Sequence, residues 1–184
     1  AVIIEKENGK NSADYATYLN NKGNSLRELG KIDEAIQSFE KALDIYKELY
    51  GKKSLNYTTS LFNLGKAQYI KGDAQAAINF QETLNVREKI LGKNHPLYGK
   101  VLPQMASYKW SVGDQLGALD YFTQTFDNYL TQIDAYFPAL SEDEKTKFYY
   151  TGLRLDFEKF NSFVIANRKT MPQLSANMYN YQLN

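Results

Sequence analysis

Cysteine is absent from this 184-residue chain, which excludes disulfides, thiolate metal sites and cysteine nucleophiles within it. That absence leaves the compartment open: the cytoplasm is the first expectation, with the periplasm and the exterior as alternatives. Histidine occurs once, at His95, so no paired-imidazole zinc site, catalytic triad or histidine relay can be assembled. Neither charge sign is in excess, with 22 Lys+Arg against 21 Asp+Glu. A nucleic-acid-binding surface would gather basic residues on one face, and an acidic tail is lacking too. No apolar run approaches the roughly eighteen residues that a membrane-spanning helix needs, so no membrane insertion is expected. The eleven glycines are scattered rather than gathered into a phosphate-cradling loop. The sequence opens Ala1-Val2-Ile3-Ile4-Glu5, with no initiator methionine and no signal-peptide pattern, as expected of a piece of a longer polypeptide.

What the chain does have is apolar residues, at 43%, and aromatics, at 14%, with fifteen tyrosines among them. Only four prolines interrupt long stretches of helix formers, which predicts an all-α chain. Tyrosine suits helix–helix seams that border a wet groove, being apolar along its body and polar at its tip. Comparison of the sequence with itself gives the main signal. Tyr15, Tyr57 and Tyr98 are separated by 42 and 41 residues. The same offsets relate Leu19, Leu61 and Leu102; Gly23, Gly65 and Ala106; Gly30, Gly72 and Gly113; and Ala35, Ala77 and Ala118.

Each column has a physical reason. Leu19 and Gly23 lie four apart on one face of a first helix, where the small residue admits a second helix closely. Gly30 supplies the left-handed turn after that helix. Gly30-Lys31-Ile32-Asp33, Gly72-Asp73 and Gly113-Asp114 then open the second helices, with Asp able to cap exposed amides. Along the first of these, Ala35, Phe39, Ala42, Leu43, Tyr46 and Leu49 keep a helical period. In copy two the second helix is one residue short, so that Phe80, Thr83 and Leu84 align with Phe39, Ala42 and Leu43. Copy three carries Thr125 where alanine is expected.

The pattern Gly23/Ala35/Phe39/Ala42 resembles the tetratricopeptide repeat, and Gly65/Ala77 and Ala106/Ala118/Phe122 fill most of it in the later copies. The long period narrows the resemblance to the kinesin-light-chain-like subtype. Leu84-Asn85-Val86-Arg87-Glu88-Lys89-Ile90-Leu91-Gly92-Lys93-Asn94-His95-Pro96 is similar to its extended second helix, Leu-Gly ending and His-Pro restart. Pro96 fits a first helical position, where a missing N–H costs nothing. The resemblance implies a right-handed α-α superhelix of three helix pairs, at about 13–51, 55–92 and 96–137. C-terminal capping helices over 138–184 would complete it. Three pairs are near the minimum for a stable array, so weak self-association is compatible with it.

The third second-helix is expected to run long, through Phe126 and Leu130, until Phe137-Pro138 breaks it. Ser141-Glu142-Asp143-Glu144 reads as a capping box opening a further helix that carries Phe148, Tyr149, Leu153, Phe157, Phe160 and Phe163. Met171-Pro172 interrupts that helix, and a last one is expected from Gln173. Such a tail suits a cap over the exposed end of a helical array. Leu140–Lys145, Phe157–Phe163 and Met178–Leu183 also resemble the bacterial segment that joins tetratricopeptide arrays to CHAT domains, which are caspase-like peptidases. That resemblance implies an effector domain beyond Asn184, and a partner in the chain's own continuation.

No catalytic, cofactor-binding or metal-binding residues emerge. Glu142, Asp143 and Glu144 suit a helix N-terminus, Lys52-Lys53 sit at a turn between repeats, and His95 reads as a loop residue at a helix start. The expectation is therefore a non-enzymatic scaffold for a protein or peptide partner, with no cofactor. In the family it resembles, first helices line a concave groove. The side chains facing it here would be Asn20, Asn21, Asn24 and Arg27, then Phe62, Asn63, Lys66 and Tyr69, then Gln104, Ser107 and Trp110. Asn21, Asn63 and Gln104 occupy one column, whose carboxamides could grip an extended backbone through paired donor and acceptor groups. Two alternatives stand beside this reading. One is a structural spacer whose groove is filled by the chain's own C-terminal helices. The other is a non-catalytic fragment of a caspase-like peptidase.

Overall fold

The computed structural model describes Gly9, residues 11–172 and Leu174, and every regular element among them is helical. The chain divides into two compact units, Ala1–Gly92 and Lys93–Asn184. The opening residues 1–5, the motif at 178–183 and, apart from Leu174, the last expected helix lie outside the described residues.

The first unit is built from two helix pairs: α1 (Ala13–Glu28) with α2 (Ile32–Tyr50), and α3 (Leu55–Lys71) with α4 (Gln75–Leu91). Local chemistry sets their ends. Ser12 and Ser54 each accept the amide of the third residue of the following helix, Tyr15 and Tyr57, which satisfies an otherwise orphaned donor. Gly30 and Gly72 turn the chain out of each first helix with φ of +75° and +79°, a conformation that a side chain would strain. Of the aspartates expected as caps, Asp73 accepts the Gln75 amide and Asp114 that of Gly117, both at 2.9 Å. Asp33 does not cap. It lies inside α2 and pairs with Lys71 at 2.6 Å.

Within each pair a phenylalanine ring rests on the small residue of the partner helix. A Cβ placed on Gly23 would come within 2.6 Å of the Phe39 ring, and one on Gly65 within 2.8 Å of the Phe80 ring. Phe39, Phe80 and the third copy's Phe122 are wholly buried. The alanine that accompanies this seat in copy two is Ala76, fully buried, rather than the expected Ala77, which is half-exposed. The missing residue therefore falls in the turn after Gly72. A residue lost inside the helix would rotate everything beyond it by about 100° and carry Phe80 off its seat. Ala35 and Phe39, like Ala76 and Phe80, keep a spacing of four.

In the second unit the first helix of the pair is split into α5 (Pro96–Gly99) and α6 (Leu102–Ser111). His95 caps α5, its Nδ1 accepting the Leu97 amide at 3.0 Å, in keeping with its reading as a helix-start residue. Pro103 explains the split, since it has no N–H to donate to Gly99, the carbonyl four residues back. Gly99 is also pinned against the second helix of the pair, because a Cβ there would run into the side-chain oxygen of Asn128. The second helix, α7 (Gln115–Tyr136), is as long as expected and ends in the 3-10 turn Phe137–Ala139.

After it, Ser141 and Glu144 close the expected capping box at the start of α8 (Glu142–Phe148). A π-helical turn, Tyr149–Leu153, then leads into α9 (Arg154–Asn167), which ends short of Met171-Pro172. The Arg154 amide reaches back five residues to the Tyr149 carbonyl. This wide turn sets the register of the tail. In a regular helix Phe148 would stand about 120° around the axis from Phe160, and the extra residue removes about 100° of that. Both rings then meet α7: Phe148 against Tyr129 at 5.5 Å, and Phe160 against Phe122 and Phe126 at 5.4 and 5.3 Å.

Two outcomes follow for unfolding in urea. Gly65→Val forces the Phe80 ring from its seat and costs about 1–3 kcal/mol; stability equal to the parent contradicts the seat. Deleting Tyr150 lets the π turn close into regular helix and costs less than about 1 kcal/mol, whereas inserting one alanine after it costs at least ~2 kcal/mol, the scale of losing one packed ring. Equal costs for deletion and insertion contradict the register role.

Candidate functional site

In the first unit the residues expected to face a partner lie on α1 and α3, which adjoin one another across α2. The structure sorts them by what they already do. Asn21 is exposed, and Asn24 and Arg27 are half-buried along the same strip of α1. Burial lowers the affinity of the Arg27 guanidinium for its proton, with the neighbouring Glu28 opposing that effect. Asn20 is the bridge between the two helices: its Oδ1 accepts the Ser60 hydroxyl at 3.3 Å and the Asn63 amide at 3.2 Å.

Asn63 therefore differs from the open rung expected in the column of Asn21. It is buried, and its amide nitrogen is committed to Asn20. The reason is positional: at Asn63 the side chain falls in the α1–α3 seam, while Asn21 has no preceding helix to lean on among the described residues. Phe62 likewise is buried rather than open. Its ring lies 5.9 Å from Phe80, with the Lys66 ammonium 4.9 Å and the Arg87 guanidinium 5.4 Å from its centre. Lys66 and Tyr69 are half-buried farther along α3. The strip that remains open to a partner thus runs through Asn21, Asn24 and Arg27, flanked by Lys66 and Tyr69.

In the second unit Gln104, Ser107 and Trp110 share one side of α6, and all three are half-buried. The Ser107 hydroxyl donates to the Pro103 carbonyl at 2.8 Å. Trp110 packs edge-on against Phe163 of α9 at 5.6 Å, so the tail covers it.

Sequence reasoning missed the buried polar links that join the helices of a pair. Arg87 is 2% exposed, and its guanidinium donates to the Thr58 hydroxyl and carbonyl, both at 3.4 Å. Burial pulls its pKa down to about 10. Asn79 donates to Gln68 at 2.6 Å inside the same pair. Tyr46 and Thr17 share a 2.8 Å hydrogen bond in the first pair. In the second unit Tyr129 of α7 donates instead to Asp156 of α9 in the tail, at 2.8 Å; burial first, and then the Asp156 charge, raise the phenol's pKa. A signal was available: Tyr46, Arg87 and Tyr129 occupy one repeat column, and a polar group at a core-facing position needs a partner. Among the described residues no group of three or more His, Cys, Asp or Glu is placed to hold a metal ion.

Comparison with known proteins agrees with the repeat reading. Residues 14–83 match the tetratricopeptide repeat family model. Curated relatives include a clustered mitochondria protein homolog of Ajellomyces capsulatus, 32% identical over 87 residues, which are 47% of this chain and 7% of that protein. The Coccidioides immitis homolog is 35% identical over 71 residues, 39% of this chain and 6% of that protein. The chain thus corresponds to a small part of these relatives. Among solved structures, BtubC (BKLC) from P. vanneervenii superposes with a TM-score of 0.62 at 18% identity, covering 94% of this chain and 68% of that one. A Podosopora anserina structure of nearly identical kinesin-light-chain TPR-like repeats gives 0.60 at 15% identity, covering 86% and 78%. The fold is that of a kinesin-light-chain-like tetratricopeptide array, and the resemblance extends well beyond the residues the family model matches.

The different standing of the two asparagines is measurable. Asn63→Ala removes one of the two donors to the half-buried Asn20 oxygen, leaving it the Ser60 hydroxyl, and costs about 1 kcal/mol, while Asn21→Ala stays within about 0.5 kcal/mol. Thermal unfolding checks this, and equal losses would contradict the bridge.

Proposed function

We propose that this chain is a protein-interaction scaffold that takes an extended peptide segment along the α1 and α3 strip. The observation carrying this reading is the division of labour along α1. Leu19 and Gly23 face the core, Asn20 ties α1 to α3, and Asn21 and Asn24 are left to face outward with paired amide donors and acceptors. A peptide backbone needs such groups, because each of its residues brings one N–H and one C=O. The half-buried Arg27 and Lys66 add positive charge along the same strip, which favours a segment carrying some acidic residues.

The array would act as the regulatory arm of a larger bacterial protein, passing a binding event to a caspase-like domain of the CHAT type that follows it. The similarity of Leu140–Lys145 and Phe157–Phe163 to the segment preceding such domains supports this part of the proposal. A second reading draws on Trp110. Because Phe163 packs edge-on against it, the third pair's share of the expected groove is filled by the chain's own tail on this reading. On that reading Gln104, Ser107 and Trp110 bind no partner, and only the first unit does.

Peptides selected from a random display library on the full chain provide the test. Binding measured by fluorescence polarisation should weaken at least about tenfold, roughly 1.4 kcal/mol, when Asn21 and Asn24 are both replaced by alanine. Unchanged affinity in that folded variant contradicts the strip. If affinity is lost on replacing Trp110 with alanine instead, the partner-bearing face belongs to the third pair.

A further inference from the structure

The third pair differs from the first two at the column occupied by Tyr46, Arg87 and Tyr129. In the first pair Tyr46 closes the space between the helices by bonding Thr17. In the second, Arg87 does so by reaching Thr58 and, at 3.5 Å, the hydroxyl of Thr59. Thr17 and Thr59 share a column whose third member is Lys100. Tyr129 turns instead to Asp156 of α9, which Lys159 also engages at 2.8 Å. Lys100 stands in the turn where the first helix is split, and it is exposed. The result is a cleft of about 540 Å³ between α5, the end of α7 and the π turn. That volume lies inside the roughly 300–1,000 Å³ typical of ligand clefts.

The walls and the polar groups of this cleft define what it could accept. Tyr129, Tyr136, Phe137 and Phe148 supply aromatic surface. Phe148 meets both Tyr129 and Phe137 edge-on, at 5.5 and 5.2 Å, so these rings are held in place by one another. Thr151 and Gly152 of the π turn form part of the lining, and a side chain at Gly152 would crowd the Tyr129 hydroxyl at 3.0 Å. Gln132 lines the cleft although it is only 6% exposed. Its amide nitrogen is held by Asn128 at 2.6 Å, and Asn128 is itself anchored on the Lys93 carbonyl. That leaves the carbonyl oxygen of Gln132 as the acceptor it can offer. An aromatic surround, a buried carboxamide acceptor and an ammonium at the mouth are complementary to an apolar ring, an N–H donor and a carboxylate.

We propose that this cleft is a second recognition site, separate from the α1–α3 strip, that takes one aromatic side chain of a protein partner flanked by acidic residues. The ring enters among Tyr129, Phe137 and Phe148, its own backbone amide donates to Gln132, and a neighbouring carboxylate meets Lys100. None of the residues expected to face the repeat groove lines the cleft, so the two sites can be lost independently.

The test is an NMR titration of the full chain with acetyl-Asp-Trp-Asp-amide, with acetyl-Lys-Trp-Lys-amide as its charge-reversed control. The acidic probe should shift the signals of Lys100, Thr151, Gly152 and the Gln132 side chain, and bind about two- to fivefold more tightly than the basic one. Lys100→Glu should reverse that order. Thr151→Phe, which plugs the cleft from the exposed side of the π turn, should abolish the shifts. Absence of shifts at these residues overturns the proposal. Equal binding of both probes in the parent and in Lys100→Glu overturns the acidic partner and leaves an unselective apolar cavity. Shifts confined to residues 20–27 and 62–69 overturn the second site while leaving the α1–α3 strip standing. If Thr151→Phe does not fold, the reversal by Lys100→Glu still decides.

Discussion

A phenylalanine ring seated on a residue without a side chain is the constraint from which the first unit follows. Phe39 lies where a Cβ on Gly23 would be, and Phe80 where one on Gly65 would be. Two helices approach that closely only if one of them gives up its side chain at the crossing. Glycine inside a helix costs up to about 1 kcal/mol relative to alanine, and the burial of a whole aromatic ring offsets it. The seat also fixes the rotation of each helix. With Gly23 turned inward, Leu19 and Leu26 must share its side and Asn21 must face away. Which residues are available for binding is thus decided by which one has to be small.

The third pair shows what happens when that geometry is relaxed. Ala106 replaces the glycine, Pro103 splits the first helix, and the core fills with rings from the tail: Phe160 and Phe163 pack on Phe122 and Phe126. Long helix segments can bring several rings to one face only if their register is adjusted. The π turn at Tyr149–Leu153 makes that adjustment. The same turn places Thr151 and Gly152 at the aromatic cleft, where the column closed by Tyr46 and Arg87 in the earlier pairs stands open.

The repeat, the helix pairs and most of their ends were legible in the sequence because each depends on residues close along the chain. A glycine after a helix and an alanine four before a phenylalanine both act within a turn or two. The capping box at Ser141 and the break at Phe137-Pro138 were legible for the same reason. Less was legible where a residue's role depends on which neighbour it meets. Asn21 and Asn63 share a column, yet only Asn63 falls in a helix seam and is consumed by Asn20. Phe62 reads as a side chain facing the groove but is buried among Phe80, Lys66 and Arg87. Ala77 reads as the seat's companion, and the shortened turn hands that role to Ala76. The cleft left no mark in the periodicity, since it arises from Tyr129 choosing Asp156, a residue 27 positions away in the tail.

The scaffold reading rests on an outward-facing strip of α1, through Asn21, Asn24 and Arg27, flanked on α3 by Lys66 and Tyr69. Its most direct test is a crystal structure of the full chain with one library-selected peptide. The account predicts an extended peptide lying along α1 and α3, with backbone hydrogen bonds to Asn21 and Asn24. A peptide seated on α2 and α4, touching neither asparagine, would contradict it.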